Sequence, residues 1–164
     1  MDIVNKLNQL PYIREAKNIM CFVSSGSEVD THVLIKNWLS QGKQLSVPCI
    51  ERVAAENKLM HAVRISDFKD LSGCGSFGIL EPELNRKNIV KPNELEVIIV
   101  PGSVFDINRN RIGYGGGFYD RFLAETSPDC MKIGVCYDFQ VLEKIPHEEY
   151  DIPLDLLVTE KRVI

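Results

Sequence analysis

A chain of 164 residues with 45% hydrophobic and 26% charged side chains can bury an ordinary core as one domain, 1–164, without disulfide or metal staples. Its formal net charge of −4 excludes a protein that coats nucleic acid, which needs a basic face. No apolar run approaches the roughly 20 residues of a membrane helix, and Asp2, Asn5, Asn8 and Gln9 interrupt any signal-peptide core. The expectation is a cytoplasmic protein with no nucleic-acid or membrane partner. The five cysteines (Cys21, Cys49, Cys74, Cys130, Cys136) are odd in number, widely spaced and without a C-x-x-C pair, which suggests neither zinc nor a disulfide framework.

Ile3, Val4, Leu7 and Leu10 fall at helical spacing and predict a short amphipathic helix over 2–10 that stops at Pro11. Residues 19–24 (IMCFVS) read as a buried strand, followed by a polar turn in which Asp30 or Thr31 can cap a helix. That helix has Val33, Leu34, Trp38 and Leu39 on its apolar face and Gly42 at its end. Strands follow at 45–50 and 60–65, then a short helix at 67–71. The stretch 72–83 (SGCGSFGILEPE) begins with a flexible half. It nearly contains a nucleophile elbow, but glycine would be needed at Cys74, so Ser76 is not supported as a nucleophile.

The most informative stretch is 97–123, VIIVPGSVFDINRNRIGYGGGFYDRFL. Four β-branched residues predict a buried strand, Pro101-Gly102 a turn, and Gly113, Gly115, Gly116 and Gly117 a glycine-rich turn leading into an amphipathic helix. Glycines are kept where φ must be positive or where backbone approaches a ligand, and a row of free amides suits an anion. Arg111 and Arg121 bracket the turn with permanent charge, and Asp106 and Asp120 add carboxylates of the kind that hold magnesium at an ATP site. Neither a G-x-G-x-x-G fingerprint nor a P-loop is present, and a tight structural turn with solvated arginines is the alternative. Beyond it come a strand at 132–137, a brief helix at 139–142 and a last strand at 155–159. His147 and Asp151 are four apart, a spacing more often structural than metal-binding for a lone histidine. Alternating strands and helices predict an α/β fold, three-layered, with a mostly parallel central sheet and helices on both faces.

Residues 97–123 resemble the signature of the 5-formyltetrahydrofolate cyclo-ligase (methenyltetrahydrofolate synthetase) family: a hydrophobic strand, PG, an aromatic-Asp pair, then R-[LI]-G-x-G-G-G-[YF]-Y-D-R. The resemblance extends to Ser24–Thr31 (S-x-x-x-E-[VI]-x-T), to F-G-I-x-E-P at Phe77–Pro82, and to a C-terminal P-x-x-x-x-D-x-x-[LV]-D that ends at Asp155. It implies a NagB/RpiA/CoA-transferase-like fold and an ATP- and magnesium-dependent cyclisation of 5-formyltetrahydrofolate to 5,10-methenyltetrahydrofolate, with release of ADP and phosphate. The enzyme so implied is a ligase acting as a monomer on folate and ATP.

Carried over residue by residue, the resemblance implies ATP binding by Arg111, Ile112, Gly113, Tyr114, Gly115, Gly116, Gly117, Phe118 and Tyr119, with Arg111 and Arg121 as the catalytic cations. Folate binding falls to Ser25, Glu28, Asp30, Glu81 and Tyr119, and magnesium to Asp120 and Asp151. The family's usual N-terminal helix with a K-x-x-x-R pair has no match, since Lys6 is followed four positions later by Leu10. Lys6 and Arg14 are the candidate substitutes at ATP. A non-catalytic folate- or nucleotide-binding protein, and a sugar-phosphate isomerase or CoA-transferase-like enzyme on the same fold, are the alternatives.

Overall fold

The computed structural model describes residues 2–53, 58–75 and 78–164, with Cys74 described by its backbone alone. The N-terminal helix α1 (Ile3–Gln9) is capped by Asp2, whose carboxylate accepts from the Asn5 amide at 2.9 Å. The helix stops before Pro11, as expected, and Pro11 then opens a second helix, α2 (Pro11–Glu15), because its fixed φ and missing N–H suit a first helical position.

The remaining elements are β1 (Asn18–Cys21), α3 (His32–Ser40), β2 (Gln44–Arg52), β3 (Lys58–Ile65), β4 (Gly73–Cys74), β5 (Leu80–Glu81), β6 (Ile89–Val90), β7 (Val97–Val100), β8 (Val104–Asp106), β9 (Arg111–Ile112), α4 (Phe118–Leu123), β10 (Met131–Val135), β11 (Val141–Leu142) and β12 (Leu156–Val158). The helices expected at 67–71 and 139–142 are single 3-10 turns, Phe68–Asp70 and Asp138–Gln140.

Seven strands form one mixed sheet in the order β12-β10-β7-β1-β2-β3-β6. The five from β12 to β2 are parallel, while β3 and β6 continue the sheet antiparallel. Ile19 stands opposite both Leu45 and Val97, and Ile133 opposite both Ile99 and Leu156. Every residue of β7 is buried, as a strand covered on both faces requires. Ile19, Cys21, Val97, Ile99 and Ile133 pack toward α1, α2 and α3, whereas Met20, Ile98, Val100 and Leu157 pack toward Phe122 and Leu123 of α4.

On α3, Leu34, Ile35 and Trp38 are buried and Val33 is exposed, which corrects the expected face by one residue. The Trp38 indole donates to Asn8 Oδ1 at 2.9 Å and so sets the rotation of α3 against α1. Among the described residues no helix is long and apolar enough to cross a membrane.

A small second sheet, β11-β8-β9, forms where the sequence suggested no regular element between residues 101 and 112, and its third strand takes the end of the segment expected as a helix at 139–142. Asp106, fully buried in it, accepts from the amides of Asn108 (2.9 Å), Asn110 (3.0 Å) and Ile145 (3.2 Å) and from the Asn110 side chain (3.0 Å). Burial alone would raise its pKa, but these four donors outweigh burial and hold the carboxyl below its usual range. Asp106 is therefore a structural carboxylate and not the magnesium ligand its place in the sequence suggested.

The β1 chain continues through α3 to β2 on one side, while β7, its other neighbour, leads through α4 to β10 on the opposite side. Cys21 pairs with Ile99, so the loops leaving β1 and β7 separate above the same point of the sheet. Open α/β sheets bind ligands in that crevice.

Candidate active site

The loop leaving β1 is held by Thr31, a fully buried residue that sequence reading treated only as a cap candidate. Its hydroxyl donates to the Phe22 carbonyl at 2.7 Å and accepts from the Ser24 amide at 2.9 Å, and its own amide donates to Ser24 Oγ at 3.0 Å. The loop so fixed carries Glu28, whose Oε2 accepts from the Ser25 amide at 2.8 Å. Asp30 points elsewhere: its carboxylate takes the His32 amide at 2.8 Å and finishes the start of α3.

The glycine turn is moored on the exit of β7. Ser103 donates from its amide to the Ile112 carbonyl at 2.8 Å and from its hydroxyl to the same oxygen at 2.9 Å, while Gln140 donates to the Ser103 carbonyl at 3.0 Å. Gly115 and Gly117 have φ of +92° and +65°, the left-handed region that glycine tolerates. Gly116 is glycine for another reason, since a Cβ there would lie 2.6 Å from the Phe118 ring. Among the described residues, no acceptor is paired with the amides of Gly113, Tyr114, Gly115, Gly116 or Gly117. Arg121 donates to the Gly116 carbonyl at 3.0 Å and rests over the Phe118 ring at 5.2 Å, so it braces the turn from the helix side.

Arg111 is buried below the turn, where its guanidinium lies 3.4 Å from Asp120 Oδ1 and 5.4 Å from the centre of the Tyr119 ring. Two donors here are sealed from solvent without an acceptor: Arg111 Nε and the Tyr119 hydroxyl. Burial, with the Cys21 thiol adding to it, pushes the Tyr119 phenol far up against the opposing pull of Arg111, so it remains a protonated donor. Buried donors of this kind normally find partners, and an orphaned pair at the base of a row of open amides fits a phosphate or carbonyl oxygen.

Asp120 Oδ1 also accepts from the Ile152 amide at 3.2 Å, which brings the chain at Asp151 alongside it. Asp151 Oδ2 accepts from the Glu148 amide at 2.7 Å. No described residue donates to the second oxygen of either carboxylate, and two carboxylates with phosphate oxygens are the usual holding set for magnesium. Among the described residues no cluster of three or more metal-type side chains forms, so His147 does not join them.

Glu81 lies apart, beside β2, with Oε2 3.8 Å from the Cys49 sulfur and its carboxyl pushed up by burial. Ser76 and Phe77 fall outside the described residues. Lys6 donates to the carbonyl of Thr159, just past β12, at 2.7 Å. The Arg14 carbonyl accepts from Lys43, just before β2 begins, and α2 leads directly into β1, which puts α2 at the N-terminal end of the parallel strands, away from the loops that leave β1 and β7, and removes Arg14 as a stand-in at ATP.

The contact most remote from sequence reading joins the two loops. The Tyr114 hydroxyl donates to Glu28 Oε1 at 2.7 Å across 86 positions of chain. No local pattern signals it, because the two residues meet only once β1 and β7 are neighbours.

The chain resembles the 5-formyltetrahydrofolate cyclo-ligases of Haemophilus influenzae, at 35% identity over 88% of this chain and 77% of that protein, and of Escherichia coli K12, at 34% over 93% and 83%. Its backbone superimposes on the 5,10-methenyltetrahydrofolate synthetase of Aquifex aeolicus with a TM-score of 0.81 and 35% identity, covering 98% of this chain and 77% of that one. The synthetase of Mycoplasma pneumoniae, at 19% identity and a TM-score of 0.71 over 96% and 82%, shares the fold. The family model described as the 5-formyltetrahydrofolate cyclo-ligase family matches residues 1–160, and with these relatives it makes the chain a member of that family.

Proposed function

We propose that this protein is a ligase that uses ATP to cyclise 5-formyltetrahydrofolate to 5,10-methenyltetrahydrofolate. The observation that carries the reading is the orphaned buried donors, Arg111 Nε and the Tyr119 hydroxyl, on the two residues that flank the open amides of the glycine turn. A formamide is a poor electrophile because its oxygen leaves badly. In the first step that oxygen attacks the γ-phosphorus of ATP, forming an O–P bond while the bond to ADP breaks. In the second, folate N10 attacks the activated carbon and gives up its proton, and the C–O bond breaks to release phosphate, which takes up that proton as hydrogen phosphate.

Such transfer needs positioning and charge neutralisation more than covalent help. Amides 113–117 hold phosphate oxygens, Arg111 and the Tyr119 hydroxyl donate to the oxygen passing between carbon and phosphorus, and Arg121 keeps the turn in shape. Asp120 and Asp151 are the residues that would hold magnesium, which supplies further neutralisation of the triphosphate when bound. Glu28 accepts from the folate, with Ser25 as its anchor, while Asp30 serves the start of α3 and Glu81 stands apart beside β2. We assign the whole 1–164 stretch to one NagB/RpiA-like domain acting as a cytoplasmic monomer.

The folded protein mixed with ATP, magnesium and 5-formyltetrahydrofolate is expected to develop the near-ultraviolet absorbance of the methenyl product. Binding of both substrates without that band would favour a non-catalytic binding protein, and binding of neither would overturn the reading.

A further inference from the structure

Glu28 and Tyr114 belong to different loops, one leaving β1 and the other forming the glycine turn, and their hydrogen bond spans the crevice between them. Tyr114 is 68% exposed, so its ring is held by little packing and its position depends on the hydroxyl contact. It is flanked by Gly113 and Gly115, and Gly115 has a φ of +92° with open space around it. The backbone carrying Tyr114 is thus free to shift when nothing grips the turn, and the amides on either side of it have no described acceptor.

The Glu28 carboxylate is anchored at both oxygens, by the Ser25 amide at 2.8 Å and by Tyr114 at 2.7 Å. Each oxygen keeps a lone pair, and the plane of the carboxylate is fixed only while both anchors hold. A carboxylate held in plane is suited to two adjacent N–H donors of a ligand, and one that turns about its last bond is not.

We infer that Tyr114 is a positioning residue that couples the two substrates: nucleotide phosphates gripping the amides around it fix its hydroxyl, and that hydroxyl fixes Glu28 for folate. This rests on the proposed function, with nucleotide at the glycine turn and folate at Glu28. The coupling is reciprocal, so folate held by Glu28 also favours the turn conformation that binds nucleotide.

The test is calorimetric titration of 5-formyltetrahydrofolate into the whole protein, with and without magnesium and a non-hydrolysable ATP analogue, for the native chain and for Tyr114→Phe. The analogue is expected to tighten folate binding to the native protein by about tenfold, and binding to Tyr114→Phe by less than about twofold. The affinity of the variant for the analogue alone is expected to stay within about twofold of native. The reverse titration is expected to match: folate tightens the analogue in the native protein and not in Tyr114→Phe, whereas a merely destabilised turn would weaken the analogue even without folate. Equal tightening in the native protein and Tyr114→Phe, or none in the native protein, overturns the coupling while leaving the proposed function standing. A folded native protein that binds neither substrate overturns both.

Discussion

Arg111 meets both the Tyr119 ring, 5.4 Å away, and the Asp120 carboxylate, 3.4 Å away, so that one buried cation unites the two residues of the Y-D pair at the start of α4. Aromatic face and carboxylate together hold the guanidinium in place, yet they leave its Nε and the neighbouring phenol without acceptors. Tyr119→Phe separates the roles. Deleting a buried unpartnered hydroxyl is expected to leave the free protein as stable as before or slightly more so, while the thermal stabilisation given by substrates shrinks. Thermal melts with and without ATP and folate check this, and a clear loss of stability in the free variant would mean that the hydroxyl is satisfied within the fold.

Asp120→Asn is expected to abolish most turnover and also to lower stability by about 1–3 kcal/mol, because it takes the counter-charge from a buried arginine. An isosteric change in the first turn of a helix would by itself spare the fold, and the ion pair with Arg111 is what makes this one costly. Urea unfolding measures the stability term, and an unchanged midpoint would show that Arg111 finds its compensation elsewhere.

The glycines of the turn should respond differently to the same methyl group. At Gly115 there is open space but a φ of +92°, so Gly115→Ala is expected to cost roughly 1–3 kcal/mol through backbone strain. At Gly116 φ is not positive and the methyl meets the half-buried Phe118 ring, so relief by ring movement is expected to make Gly116→Ala the milder change in stability. Chemical denaturation of the two variants side by side decides the order, and a greater loss at Gly116 would contradict it.

Asp106 predicts a pH dependence. Its folded pKa lies below the ordinary value of 3.8, so the stability it contributes is fully present above that value and is lost as pH falls through the lower folded pKa. Asp106→Asn is expected to be destabilised at neutral pH and to show a shallower loss of stability than the native protein below about pH 4. Unfolding midpoints taken between neutral pH and strong acid test the sign, and parallel curves would remove Asp106 from the acid response.

Strand β7 and helix α4 were legible almost to the residue, because a β-branched run and an amphipathic FYDRFL segment are strong local signals. The glycine turn between them was legible for the same reason. The β8–β9 hairpin was not, since β8 has three residues and β9 two, too few for alternation to register. Its turn also uses Arg109 at a φ of +66°, a conformation that its residue type does not announce. On α3 the choice of Ile35 over Val33 was made by the tertiary bond from Trp38 to Asn8 and not by the helix itself. Within the site, local reading found Glu28, Arg111 and Asp120 as separate candidates. Their partners (Tyr114 for Glu28, Ile152 for Asp120) are long-range and depend on strand order.

The bond from Lys6 to Thr159 crosses 153 positions, and α1 shares a hydrophobic cluster with Val158 of β12. During synthesis the N-terminal helix therefore leaves the ribosome long before the strand it docks on exists. Non-local contacts of this kind form late, because the intervening chain must first be ordered. The central strands β1, β2 and β7 can assemble with α1 held on one side by the Trp38 to Asn8 bond, and β12 then completes the sheet edge and the rest of the helix's seat. Made before every strand of the sheet, α1 is fully seated only when β12 arrives, which leaves it more open to proteases on nascent chains halted before Leu156.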